Sequence, residues 1–414
     1  LSGKLGPQLR PHQTDAVNAM CARDERGVPG HFLVMETGMG KTLTALRFFS
    51  HQLAHFPAYV GRVDYFVWVT PPGKKLGNNE FTLIKSLGKQ LRRWGAPYVT
   101  VSPPRGGACA SFRRGVVNVV AHDHLRKMLS DLMRIGPRSV VVFDEVDELY
   151  NATKRTSAAL LLASSCWRFV AMTATPMTKT VDRLATWLGL AQHYPVMNRN
   201  YLVAAGEMVA AQITLGIQRV YKERFIPQTD LARRAFASYL QSGGRAWGEL
   251  ARVVQSETDG SLCDEAIILA QKDRESHSNG GVLLVADSSE HVARLIQVLV
   301  RRGVAAAAAD QMEDRNISVV VVAKTNARGY NGAIRLGAMV RGVYAGNGAQ
   351  RHQMEGRICR IGQRRNELSY VTVIMENTML HLLFERQQSA DAINMSLQQF
   401  AKKYQAEVLA LSSK

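Results

Sequence analysis

The 414-residue chain is poor in acidic residues and cysteine and has no long apolar run. Only 34 Asp and Glu stand against 52 Lys and Arg, leaving a formal net charge of +18. That imbalance disfavours a cationic partner and points to a polyanion, nucleic acid ahead of an anionic membrane surface. Apolar runs stop at about five residues, as in Val140–Phe143 and Val319–Ala323, whereas a membrane-spanning helix needs about 20. The five cysteines (Cys21, Cys109, Cys166, Cys263, Cys359) are scattered at spacings that suit neither a disulfide framework nor a metal site, so a reduced, intracellular setting is expected. No signal peptide is visible, and a chain that starts at Leu1 is expected to be a fragment or a processed product. With 46% hydrophobic and 21% charged residues, the composition is that of a globular protein and excludes a disordered basic tail.

What is present is an alternation of short apolar runs and helical patterns, the mark of α/β domains. Phe32–Met35, Tyr65–Thr70, Val116–Ala121, Val140–Phe143 and Phe169–Thr173 read as buried strands of one parallel sheet, and Gly281–Ala286, Ser318–Ala323, Met339–Tyr344 and Ser369–Ile374 as those of a second. Between them the composition changes to amphipathic helix, as in Asp230–Leu240 and Ala246–Gln255. The alanine run Ala305–Ala309 reads as a helix or strand end, and a helix with Leu380, Leu383 and Phe384 on one face follows Asn377. The expected divisions are a first α/β lobe at 1–190, a helical inter-lobe segment at 191–280, a second lobe at 281–376 and a helical extension at 377–414.

Two segments carry chemistry. Met35-Glu-Thr-Gly-Met-Gly-Lys-Thr42 follows an apolar run and precedes a helical pattern, the context of a phosphate-binding loop. Thr37, Gly38, Met39 and Gly40 would turn backbone N–H groups toward phosphate at a helix N-terminus. Lys41 would reach the β- and γ-phosphates, and Thr42 would bind Mg²⁺. The strict pattern fails at Met35, where a small residue is usual. About a hundred residues later, Val140-Val-Val-Phe-Asp-Glu-Val-Asp147 is a hydrophobic strand ending in two carboxylates. Asp144 would hold Mg²⁺ through water, and Glu145 would orient and deprotonate an attacking water.

Further motifs fall in order around these two: Leu9-Arg-Pro-His-Gln13, Met172-Thr-Ala-Thr-Pro176 and Gln353-Met-Glu-Gly-Arg-Ile-Cys-Arg-Ile-Gly-Gln363. The set resembles the superfamily-two helicases, and its Arg-Ile-Gly-Gln ending resembles the Swi/Snf-like DNA-translocase branch. The likeness runs over roughly residues 9–397. It implies an α/β fold of two RecA-like lobes with parallel sheets, joined by a helical segment. It implies ATP and Mg²⁺ as cofactors, with Gln13 reading the adenine edge, Arg10 supporting it and Gln353 facing the cleft. Arg357 and Arg360 would act as arginine fingers on the γ-phosphate, and Thr173 and Thr175 would couple the ATP site to the nucleic-acid track. Thr70, Pro71, His122, Asp287, Ser288 and Thr325 would lie along that track, contacting backbone rather than bases.

The resemblance implies a nucleic-acid-stimulated ATPase that translocates on duplex DNA without strand separation. The alternative is an RNA-dependent ATPase or helicase, viral and tied to transcription, because the core is compact and histone-reading elements are missing. A larger assembly or the transcription machinery is an expected partner, and a membrane is not. Basic stretches such as Lys89–Arg93 and Arg113–Arg114 are expected to be mostly solvated surface.

Overall fold

The computed structural model describes residues 6–35, 38–55, 63–73, 82–104, 108–150, 153–174, 186–187, 189–191, 208–211, 217–243, 245–324, 332–343, 354–360 and 362–386. The chain divides into two compact units, Leu1–Ile213 and Thr214–Lys414.

The first unit is built on a seven-stranded sheet of β1 (Gly30–Met35), β2 (Tyr65–Thr70), β3 (Tyr98–Val101), β4 (Val117–Ala121), β5 (Ser139–Phe143), β6 (Arg168–Thr173) and β7 (Met208–Ala211). Its order is β3-β4-β2-β5-β6-β1-β7, and every pairing is parallel. β4 and β5 are buried at every residue, as expected of strands covered by helices on both faces. On one face Phe143, Phe169 and Trp187 pack edge to face. Phe49, Phe66 and Trp68 form a second aromatic group.

The second unit has a six-stranded parallel sheet of β8 (Gln218–Ile226), β9 (Val282–Ala286), β10 (Ala306–Ala308), β11 (Val319–Ala323), β12 (Ala338–Gly342) and β13 (Glu367–Met375). Its order is β10-β11-β9-β12-β13-β8. The two α/β units with parallel sheets are the two expected RecA-like lobes.

The described residues of the stretch 191–280 are shared between the two units, which meet at Ile213 and Thr214 in the chain. β7 completes the edge of the first sheet beside β1, while β8 pairs with β13 along nine residues of the second. The helix that starts at Trp247 runs 30 residues to Ser276. It buries Leu262, Cys263, Ala266 and Ala270 in one core with Val282, Leu284, Val340 and Val371. The helix Met379–Arg386 likewise belongs to this unit: Met379 packs with Ala232, Phe236, Leu250 and Val254. Apolar faces of this size stay with the sheet that covers them, since each fully buried side chain contributes about 1.5–3 kcal/mol.

A buried ion pair ties the second unit together. Arg365 donates Nε–H and Nη2–H to the two oxygens of Asp273, each at 2.7 Å, and also bonds the Arg335 carbonyl at 2.7 Å. Asp273 further accepts the Gly281 N–H at 2.7 Å, at the entrance to β9.

Candidate active site

Because the first sheet is parallel, the loops following β1, β2, β4, β5 and β6 all emerge at one edge, where open α/β sheets bind ligands. Gly38 and Gly40 adopt φ of +87° and +90°, which only glycine takes readily. The helix Lys41–His55 follows at once, so the loop's backbone and the helix N-terminus are directed at the same space. Lys41 Nζ donates to the Met35 carbonyl at 2.8 Å, within the loop it serves. Thr42 is the second residue of the helix. Thr37 lies outside the described residues.

The helix Pro11–Glu25 braces this loop. His12 Nε2 is 3.0 Å from the Met39 carbonyl. The Gln13 amide donates to the carbonyls of Met39, at 3.3 Å, and Gly40, at 3.5 Å, while its oxygen accepts the Arg10 N–H at 2.9 Å. Gln13, expected to read adenine, is buried and spends its amide on the loop itself. A Cβ built on Gly40 would fall 2.0 Å from Gln13 Nε2. Gly40→Ala is therefore expected to cost about 1–3 kcal/mol of stability, since it strains both the backbone and this contact. It should also weaken ATP binding. Thermal denaturation and nucleotide titration check the two effects, and an unchanged affinity would refute the role given to the loop geometry.

β5 delivers the acidic pair. Asp144 is held by its N–H to the Val69 carbonyl at 2.8 Å and by the Thr70 hydroxyl, which donates to its carboxylate at 3.3 Å. Burial first, and then the adjacent Glu145 charge, push the Asp144 carboxyl up to about 7, with Lys41 opposing both. Glu145 has a left-handed backbone, φ +49° and ψ +54°. Among the described residues its Oε2 is a buried acceptor with no hydrogen-bond partner.

Crowded carboxylates with an oxygen left unpaired fit a hard dication and a water. Among the described residues no three His, Cys, Asp or Glu side chains form a metal cage. Asp144 and Thr42 would offer one or two ligands, the number Mg²⁺ takes from protein when phosphates and water complete its shell.

Two residues expected along the nucleic-acid track turn inward here. Thr70 and His122 are buried. Thr70 bonds Asp144, and His122 Nε2 lies 3.0 Å from the Asp144 carbonyl. Both side chains turn into the acidic loop: Thr70 ends β2, which pairs with β5, and His122 follows the end of β4, on the other side of β2. Pro71 follows Thr70 on the same edge and is buried as well.

The sequence reading also overlooked Asp147 and Glu148. Thr173, at the end of β6, donates to Asp147 at 2.8 Å, and Glu148 lies 3.8 Å from His122 Nδ1. The signal for Asp147 was its place at the end of the same Asp-Glu-Val-Asp run.

In the second unit, Ser288 caps the helix Ser289–Arg301 by accepting the His291 N–H at 3.2 Å. Asp287 pairs with Lys324 and accepts from Gln255 at 2.9 Å. Thr175, Thr325 and Gln353 lie outside the described residues.

Arg357 and Arg360 are half-buried, and burial lowers the pKa of the Arg360 guanidinium. Their turn is anchored by Glu355, whose carboxylate accepts the Tyr221 hydroxyl at 3.0 Å and whose carbonyl accepts that of Tyr370 at 3.2 Å. Gln363 closes the segment. Its amide donates to the carbonyls of Ile358, at 2.9 Å, and Leu336, at 3.1 Å, and its oxygen accepts from Arg364 and Arg365.

Residues 10–184 match the family model of the DEAD/DEAH box helicases. This stretch of the first unit is similar to a DEAD/DEAH box helicase domain. The chain is accordingly an ATP hydrolase, a nucleic-acid-dependent ATPase whose phosphate loop and Asp144–Glu145 pair lie within the matched residues. Among solved structures, it is similar to the SWI2/SNF2 ATPase core of Sulfolobus solfataricus in complex with dsDNA. That alignment covers 97% of this chain and 98% of the other, at 13% identity and a TM-score of 0.44. No curated protein matches the sequence.

Proposed function

We propose that this helicase-family ATPase is a Swi/Snf-like motor that translocates along duplex DNA without separating its strands. The observation that carries the proposal is the Arg357-Ile-Cys-Arg-Ile-Gly-Gln363 segment, in which Gln363 knots the chain behind the two arginines.

In this reading the loop 38–42 binds the triphosphate, and Lys41 places its charge at the β- and γ-phosphates. Asp144 and Thr42 would hold Mg²⁺, which would neutralise phosphate charge there. Glu145 accepts a proton from the attacking water and aligns it. The Thr173–Asp147 bond links the acidic loop to β6, so that a change at the γ-phosphate is felt outside the nucleotide site. Arg357 and Arg360 act on the γ-phosphate in the ATP-loaded state, as arginine fingers do. Ser288 and Thr325 belong to the nucleic-acid track, through contacts with the phosphate backbone.

The test is ATP hydrolysis without nucleic acid and with duplex DNA, single-stranded DNA or RNA, for the wild type and Lys41→Ala. Duplex DNA should stimulate the wild type, and Lys41→Ala should abolish turnover. Stimulation by RNA alone would replace the duplex reading with that of an RNA-dependent, transcription-linked ATPase. An absence of hydrolysis under every condition would overturn both.

A further inference from the structure

A large concentration of positive charge in the chain lies away from the ATP edge. Residues 82–138 contain eleven Lys and Arg and two Asp, so half of the +18 net charge sits in about one seventh of the length. Within this stretch, Arg92, Arg93, Arg113, Arg114, Arg134 and Arg138 are all exposed.

Chain direction places these six on one edge. Arg138 immediately precedes β5, and Arg113 and Arg114 lead into β4. Arg92 and Arg93 end the helix Thr82–Arg93 that feeds β3, and Arg134 is in the last turn of the helix Leu129–Ile135 that feeds β5. All six therefore lie at the amino-terminal edge of the first sheet, opposite the edge that carries the phosphate loop, Asp144 and Thr173.

The edge is organised. Asp64, buried, pairs with both Arg114, at 3.7 Å, and Arg138. Asp131, also buried, pairs with Arg134 at 3.4 Å and accepts the Ala110 N–H at 2.9 Å. Arg92 stacks 5.4 Å over the Tyr98 ring, and Arg114 lies 5.9 Å over that of Tyr65. Two buried carboxylates and two rings thus restrict guanidiniums whose outer faces remain in solvent, which lowers the ordering cost of binding a ligand.

All six are arginine, whose planar fork suits phosphate oxygens better than a point-charge ammonium does. The described exposed large hydrophobics (Leu161, Tyr221, Phe225, Leu231, Ile268, Val300) all lie outside residues 82–138. The edge therefore lacks the apolar centre of a protein interface.

We propose that this edge is a second nucleic-acid surface, which grips phosphate backbone behind the motor while the motif-bearing edge engages the track. The inference rests on the nucleic-acid reading of the motor and adds a contact that the motor motifs do not supply.

The test is the triple variant Arg92→Gln/Arg93→Gln/Arg113→Gln, which spares both ion-paired carboxylates. Thermal denaturation reports whether it folds as the wild type does. Binding is measured across a salt series with duplexes of about 12 and about 40 base pairs. For the long duplex the slope of log K against log salt should fall by about 2–3, near one unit per lost phosphate contact, with affinity down at least tenfold. Stimulation of hydrolysis by the short duplex should remain at the wild-type level.

Equal slopes and affinities for variant and wild type would overturn the proposal even if duplex DNA stimulates hydrolysis. A polyglutamate peptide that binds the wild type and not the variant, with duplex affinity unchanged, would assign the edge to an acidic protein instead. If no nucleic acid stimulates the wild type, it is the motor reading that fails.

Discussion

Replacing Glu145 by Gln is expected to lower stimulated ATP turnover by about 10²–10⁴-fold, the usual share of a general base, with nucleotide affinity close to wild type. The substitution keeps the shape of the side chain and removes its ability to take a proton. The structure gives Glu145 a backbone that non-glycine residues seldom adopt, at φ +49°. Such a conformation persists only where the surroundings enforce it. Here Asp144 N–H bonds Val69, and the Glu148 N–H bonds the Glu145 carbonyl at 3.0 Å. His122 lies against the Asp144 carbonyl from the other side. The result is a buried carboxylate oxygen that no described protein group occupies. Single-turnover hydrolysis beside titration of a fluorescent nucleotide separates chemistry from binding. Turnover within a few-fold of wild type would remove Glu145 from the base role.

The largest structural effect is expected at Asp273. Its carboxylate and the Arg365 guanidinium are 9% and 7% exposed, and breaking a buried pair from one side costs about 3–5 kcal/mol. Asp273→Ala strands a buried guanidinium and removes the acceptor of the Gly281 N–H. The site is tightly packed as well, since a Cβ on Gly337 would meet Asp273 Oδ1 at 2.2 Å and Arg365 Nε at 2.6 Å. Chemical denaturation of Asp273→Ala, Arg365→Ala and the double variant checks the reading. The double variant should lose clearly less than the sum of the singles, because the second substitution removes the charge that the first left unpaired. Strict additivity would show that the two groups act independently. Arg365 lies two residues beyond Gln363 and donates to its side chain at 3.1 Å. Loosening of the pair should therefore also lower turnover, through the turn that carries Arg357 and Arg360.

Several features of the site were legible only in part. The phosphate loop and the acidic pair were clear because each depends on a strand followed by a defined residue pattern, and short-range pattern sets short-range structure. Gln13 was identified as a site residue, but its amide is engaged by the loop carbonyls of Met39 and Gly40. Thr70 and His122 follow or end strands just as track residues would. Whether such a side chain turns to solvent or inward depends on what the neighbouring strand brings beside it, here Asp144 after β5.

The sequence by itself determined the inner strands of both sheets. β1, β2, β4, β5 and β6 in the first, and β9, β11, β12 and β13 in the second, all coincide with apolar runs, because an inner parallel strand must be hydrophobic on both faces. The four edge strands were decided by tertiary structure. β3 and β7 had no visible signal. β10 is a bare alanine run, and β8 mixes exposed and half-buried residues and fully buries none. An edge strand is paired on one side only, so its residues need not be apolar, and its membership is set by the neighbour it finds. The same is true of the basic edge: composition revealed the charge, and only the fold gathered six arginines from four separate stretches onto one side of one sheet.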